Sequence, residues 1–156
     1  MRRMKVVVLV DGLHSRDTLA RLSRLLDLGS ADLLLAYVEG SSPRAGLEMV
    51  RERPGSHPMP PHREKELREA EDHAGAEAIS EAVAAAQDYG AKPEAIRLAG
   101  KPGQAVCELA EQRHADLVVV WVGGRDRPPI GPGSLGPAAR FIADHSRAPV
   151  LLLRAG

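Results

Sequence analysis

Leu117-Val-Val-Val-Trp-Val122 is apolar at every position, and Lys5 to Val10 is a continuous, largely β-branched run. Strands of this kind have no polar side to turn towards water, so they belong in a sheet covered on both faces, as parallel sheets with helical crossovers are. Asp11-Gly12 ends the first run. Beyond it Ser15 reads as an N-cap, and Leu19, Leu22, Leu25 and Leu26, up to a break at Gly29, trace an amphipathic helix with Arg16, Arg21 and Arg24 on its wet side. Ala31 to Val38 is a second strand. His62 to Tyr89, rich in alanine and glutamate, is one long helix closed by Gly90, and Glu94 to Leu98 is a short third strand. Pro102 then opens a helix carrying Ala105, Val106, Leu109 and Ala110, a position in the first turn that suits proline. Leu117 to Val122 is the most apolar strand and therefore central, followed by a helix from Pro137 to His145 and a closing strand from Val150 to Leu153.

Strands and helices thus alternate along the chain. With right-handed crossovers this gives an α/β fold: a doubly wound, five-stranded parallel sheet between helices, a Rossmann-like three-layer sandwich with strand order 3-2-1-4-5. Ligands of such sheets bind at the carboxyl ends of the strands where the winding reverses, here strands one and four. Asp11 and Gly123 stand at those two ends.

The chain's 156 residues, 44% hydrophobic, suffice for one compact domain over residues 1–156, interrupted by a polar, proline-rich connection from about 39 to 61 that is expected to be mobile, with a short helical turn near Leu47 to Val50. Lysine and arginine total 21 and so do aspartate and glutamate, so no sequence-wide charge favours nucleic acid or an anionic membrane. Aromatic content of 3% removes the stacking platforms of single-strand binders. The apolar run after the basic start is too short for a signal peptide or a membrane span, which predicts a cytoplasmic protein. The lone cysteine, Cys107, excludes an intrachain disulfide and multi-cysteine metal sites, and reads as an inert, half-buried thiol. Histidines at 14, 57, 62, 73, 114 and 145 lack the i, i+4 pairing of a zinc helix, so no metal site is expected. Trp121 reads as core or crevice wall.

Val6-Val-Val-Leu-Val-Asp-Gly12, Ala36-Tyr-Val38, Gly100-Lys-Pro102, Ala115-Asp-Leu-Val-Val-Val-Trp-Val-Gly123 and Ala148-Pro-Val-Leu-Leu-Leu-Arg154 occur in that order. Together they resemble the universal stress protein family over essentially the whole chain. Members that bind ATP resemble one another in a loop of glycine, two residues, glycine, nine residues, glycine and then serine or threonine. Here the outer glycines fall on Gly123 and Gly136, the inner glycine on Asp126 and the hydroxyl residue on Pro137. The carboxylate of Asp126 would repel a polyphosphate unless Mg²⁺ intervened, and Pro137 removes both a hydroxyl and an N–H donor.

The resemblance implies an adenine near Asp11 and the main chain of Val38, a ribose near Val122 and Gly123, and phosphates along residues 124 to 138, with Leu135 and Gly136 at the far end. Gly124, Arg125 and Ser134 join the candidate set on local chemistry: an open backbone, a cation, and a hydroxyl two residues from the missing one. Two plainer readings stand beside these, the loop as a strand-to-helix connection and Asp11 as a cap or turn former. The expected function is a non-catalytic regulator, at most a slow ATPase, that binds ATP with Mg²⁺ weakly or in modified form. The alternative is a nucleotide-free member of the family acting as a dimeric protein-interaction module. The apolar closing strand, at a sheet edge, suggests a homodimer through that edge, and an unidentified protein partner fits both readings. Adenylyl-transferase, pyrophosphatase and Walker-type motifs are missing from the sequence.

Overall fold

The structure, a computed structural model, describes residues 2–39, 60–123 and 127–155. Its elements are β1 (Met4–Val10), α1 (Ser15–Leu25), a 3-10 turn (Leu28–Ser30), β2 (Ala31–Val38), α2 (Pro61–Asp88), β3 (Glu94–Leu98), α3 (Pro102–Gln112), β4 (Leu117–Val122), α4 (Pro137–His145) and β5 (Val150–Arg154). The five strands form one sheet in the order β3-β2-β1-β4-β5, and every neighbouring pair is parallel. The doubly wound α/β expectation, with its strand order, is therefore met. β4 lies inside the sheet as its composition required, with β1 in the middle. Most of the expected 39–61 connection, including Leu47 to Val50, lies outside the described residues.

Side chains alternate between the two faces of β1 and split the core in two. Val6, Val8 and Val10 pack with Leu19 and Leu22 of α1 and with Ala78, Ala82, Ala85 and Ala86 of α2. Val7 packs on the other side, with Val118, Val120 and Val122 of β4, Val106 and Leu109 of α3, and Ile142 of α4. Val6, Val7 and Val8 are all fully buried, each worth about 1.5–3 kcal/mol relative to exposure. Alanine at the buried positions of α2 lets this 28-residue helix lie close on the sheet. It closes as expected, with the Gly90 N–H donating to Gln87 O at 2.9 Å. Among the described residues, no helix is long and apolar enough to cross a membrane.

The start of α1 differs from expectation. Ser15 is its first helical residue and not its cap; the N-cap is His14, whose side chain makes no capping bond. The acceptor comes from further upstream: Asp11 Oδ1 receives the N–H groups of Leu13 at 2.9 Å and His14 at 2.7 Å. The turn is closed before the serine is reached, so the Ser15 hydroxyl is carried inward, where it has no hydrogen-bond partner among the described residues. The far end also differs. The helix stops at Leu25, which is 59% exposed, while Leu26 turns in against the core. Asp27 then organises the 3-10 turn by accepting from Gly29 N and Ser30 Oγ, and the Ser30 bond leads in holding its carboxyl below the usual range.

Helices α3 and α4 meet through Gly103. A Cβ there would stand 2.8 Å from Phe141 Cβ and 3.1 Å from Ala138 O, so only a bare backbone allows this approach. Gly103→Ala should therefore destabilise the protein despite alanine's better helix propensity, by about 1–3 kcal/mol. Urea unfolding followed by circular dichroism measures this, and an unchanged midpoint would show that the two helices are free to separate.

Candidate functional site

In a parallel sheet every strand-to-helix connection leaves from the same edge. Between β1 and β4 the connections diverge, since β1 winds on towards β2 and β4 towards β5. A cleft of about 500 Å³ opens there. Leu9, Val10, Val120 and Trp121 line it from the two strands, Lys101 to Gln104 from the start of α3, and Gly136 to Ala139 with Phe141 from α4. Asp11, Gly123 and Arg127 complete the lining. Mixed apolar and polar walls of this size suit a small organic ligand with an anionic end. A larger hollow of about 800 Å³ lies between α3 and α4 towards the amino ends of β4 and β5, with Ala115, Asp116, Ala148 and Pro149 in its lining.

Asp11 is already engaged. Besides the two N–H groups on Oδ1, its Oδ2 lies 2.7 Å from His14 Nδ1, and the His14 ring stacks on Trp121 with centroids 5.3 Å apart and planes 14° from parallel. The side chain at the end of β1 is thus tied through an imidazole to the indole near the end of β4. The cap reading of Asp11 and its position on the cleft hold together. Trp121 is both core, packed on the α1 and α2 side, and cleft wall.

Gly123 has φ +149°, a conformation L side chains rarely adopt, and a Cβ on it would lie 3.6 Å from Trp121 Nε1. The segment after β4 is held down by two arginines. Arg154 Nη1 of β5 donates to Pro129 O at 2.9 Å and to Ser134 Oγ at 3.3 Å, and Arg127 Nη1 donates to Leu135 O at 3.4 Å.

Of the expected site residues, Asp11, Gly123 and Gly136 line the cleft together. Val38 and Val122 are buried in the core beneath and are not part of the lining. Ser134 is 2% exposed, with its hydroxyl accepting from Arg154, and Leu135 packs on the α3 and α4 side of the core. Gly124 and Arg125, with Asp126, lie outside the described residues. Pro137 stands at the first position of α4, where its missing N–H faces no intrahelical partner. Lys101, Gln104 and His14 were not among the expected residues. The signal for Lys101 was available, because the Gly100-Lys-Pro102 turn leaves from the same sheet edge as Asp11 and Gly123. That for His14 was its three-residue spacing from Asp11. Among the described residues no cluster of histidine, cysteine or acidic side chains is built to hold a metal. Cys107 is half-buried, and burial, with Glu108 beside it, pushes its thiol above the ordinary range, as an inert cysteine requires.

The sequence model of the universal stress proteins matches residues 3–154. The chain belongs to the universal stress protein family. Its fold is that of solved family members. A universal stress protein from Archaeoglobus fulgidus superposes with a TM-score of 0.68 at 19% identity, covering 98% of this chain and all of that one. A family protein from Arabidopsis thaliana with AMP bound gives 0.63 at 18% identity over 98% and 92% of the two chains. A universal stress protein in complex with cAMP gives 0.62 at 22% identity over 99% and 98%. A comparison with curated protein sequences finds no match.

The protein's single tryptophan makes the Asp11, His14 and Trp121 unit observable. His14→Ala should strip one face of the indole and release Asp11 Oδ2, moving tryptophan emission to longer wavelength and lowering stability by about 1 kcal/mol. An emission spectrum identical to the parent's would show that the stack does not persist in solution.

Proposed function

We propose that this universal stress protein is a regulator that binds an adenine nucleotide in the cleft at the ends of β1 and β4. The observation that carries the reading is the convergence of Asp11, Gly123 and Gly136 on one cleft at the winding reversal of the sheet. Family members whose solved structures contain AMP, cAMP or dAMP support the choice of an adenine nucleotide. Asp11 keeps lone pairs for a base or ribose donor, and Gly124, Arg125 and Ser134 remain candidates for the phosphate side. ATP with Mg²⁺ is one candidate ligand, but Asp126 and Pro137 each remove a feature that a triphosphate uses, so binding is expected to be weak. Nucleotide occupancy would alter the exposed face around the cleft and thereby its contacts with a protein partner.

Isothermal titration of the purified protein with AMP, cAMP and ATP plus Mg²⁺ should give saturable binding of at least one of them. No heat and no protection from unfolding up to millimolar nucleotide would overturn this reading and leave the nucleotide-free interaction module.

The edge position of β5 favours self-association in either case. Val150, Leu151 and Leu152 are only half-buried, and one side of the strand is unpaired among the described residues. A second copy adding its own β5 would cover that edge in a two-fold dimer. Light scattering coupled to gel filtration should report twice the 16.7 kDa chain mass at micromolar concentration; the monomer mass would refute the dimer.

A further inference from the structure

The two oxygens of the carboxylate on the cleft are held differently. Asp11 Oδ1 closes the start of α1 by accepting two N–H groups, while Oδ2 meets His14 Nδ1 at 2.7 Å. A carboxylate oxygen only accepts, so the proton of this contact sits on Nδ1, and Nε2 is the nitrogen that gains and loses a proton. The ring is 31% exposed, so solvent reaches it. With Nε2 bare, Oδ2 holds a hydrogen bond from a neutral ring; with Nε2 protonated, it holds an ion pair. The same cation then lies 5.3 Å from the indole of Trp121, with its plane 14° from parallel. That is inside the roughly 6 Å over which an aromatic face attracts a positive charge. Both contacts tighten together. The other charged groups around this unit keep their charge near neutral pH. Asp17, Arg21 and Arg24 of α1 share a hollow with Trp121, and Lys101 and Arg127 share the cleft with Asp11. Towards α2 the turn meets Ala78 at Gly12, and between α1 and α2 Arg16 pairs with Glu81.

We infer that His14 is a positioning residue for the cleft, a proton-operated latch on Asp11: charged, it holds Oδ2 against a ligand, and neutral, it yields Oδ2 to the ligand's N–H or O–H donor. The inference rests on the nucleotide reading above and adds its control by pH. By linkage, a ligand that draws on Oδ2 expels the Nε2 proton, and acid weakens that ligand to the same extent. Affinity therefore falls as the pH drops through the range in which a histidine takes up its proton, from about pH 8 to about pH 5.

The test measures adenosine and AMP binding to the intact chain by calorimetry at about pH 5.5 and about pH 8. The parent should bind adenosine about fivefold to tenfold more tightly at the higher pH, the gap between charged and neutral hydrogen bonds. The phosphate of AMP itself titrates at about pH 6, so two variants serve as the reference. His14→Asn presents an amide N–H in place of Nδ1–H, and His14→Phe keeps a ring for the indole. Neither can be protonated. Both should bind adenosine alike at the two pH values, and AMP with only the dependence of its own phosphate. In the unliganded parent, emission from Trp121, the single tryptophan, should change across the same range, and in His14→Asn it should not. Affinity that ignores pH, or follows it equally in the parent and both variants, overturns the latch and leaves the nucleotide reading standing. So does an emission titration that persists in His14→Asn. If neither adenosine nor AMP binds at either pH, the nucleotide reading falls and the latch falls with it.

Discussion

The hydrophobic burial of β1 and β4 on both faces is the constraint from which the rest of the molecule follows. Val6 to Val8 and Val118 to Val120 admit no water on either side, so helices must cover both faces. Covering both faces of a parallel sheet requires the chain to return to the same edge before each new strand. All the turns that precede helices are thereby gathered at one end. The cleft is a consequence of that arrangement: it opens where two neighbouring interior strands send their crossovers in opposite directions, and nothing in the core fills the gap.

That geometry also fixes the electrostatics of the cleft. Helices following parallel strands point their N-termini at the carboxyl edge, and α3 and α4 both do so here. Most helices discharge this end with a serine, aspartate or glutamate of their own. These two begin with proline, preceded by lysine in one case and glycine in the other, and neither of those residues caps its helix with a side chain. Helix α1 shows the contrast, since Asp11 accepts from the N–H groups of Leu13 and His14 at its start.

Much of this was legible in the sequence because it rests on short-range patterns. Unbroken apolar runs marked the strands to within a residue or so, and Pro102, Pro137 and Gly90 marked helix ends because their backbone restrictions act locally. Ser15 misled for a physical reason. Serine at a helix start is a good cap only when no better acceptor lies upstream, and the carboxylate of Asp11 is one. The separation of the site residues was less accessible. Val122 and Ser134 neighbour Gly123 and Gly136 closely in sequence, yet strand alternation turns Val122 into the core and the Arg154 bond draws Ser134 beneath the surface. Lys101 sits far from the glycine-rich segment in sequence and reaches the cleft only because α3 packs against α4 through Gly103.

The engagement of Asp11 bears on how the cleft communicates with the rest of the protein. A ligand donor that approaches its carboxylate competes for the same two oxygens that close the start of α1 and hold His14 against Trp121. Oδ1 already receives two N–H groups, so Oδ2, shared with the imidazole, is the oxygen with capacity to spare. Drawing Oδ2 towards a ligand would loosen the imidazole before it loosened the helix. Occupancy would therefore be felt first by the His14 and Trp121 stack, and through it by the face of the sheet that α1 covers. The starts of α3 and α4 line the same cleft through Lys101 to Gln104 and Gly136 to Ala139. One small molecule spanning the cleft would thus touch both helical layers at once, the α1 side through Asp11 and the α3 and α4 side through the starts of those helices.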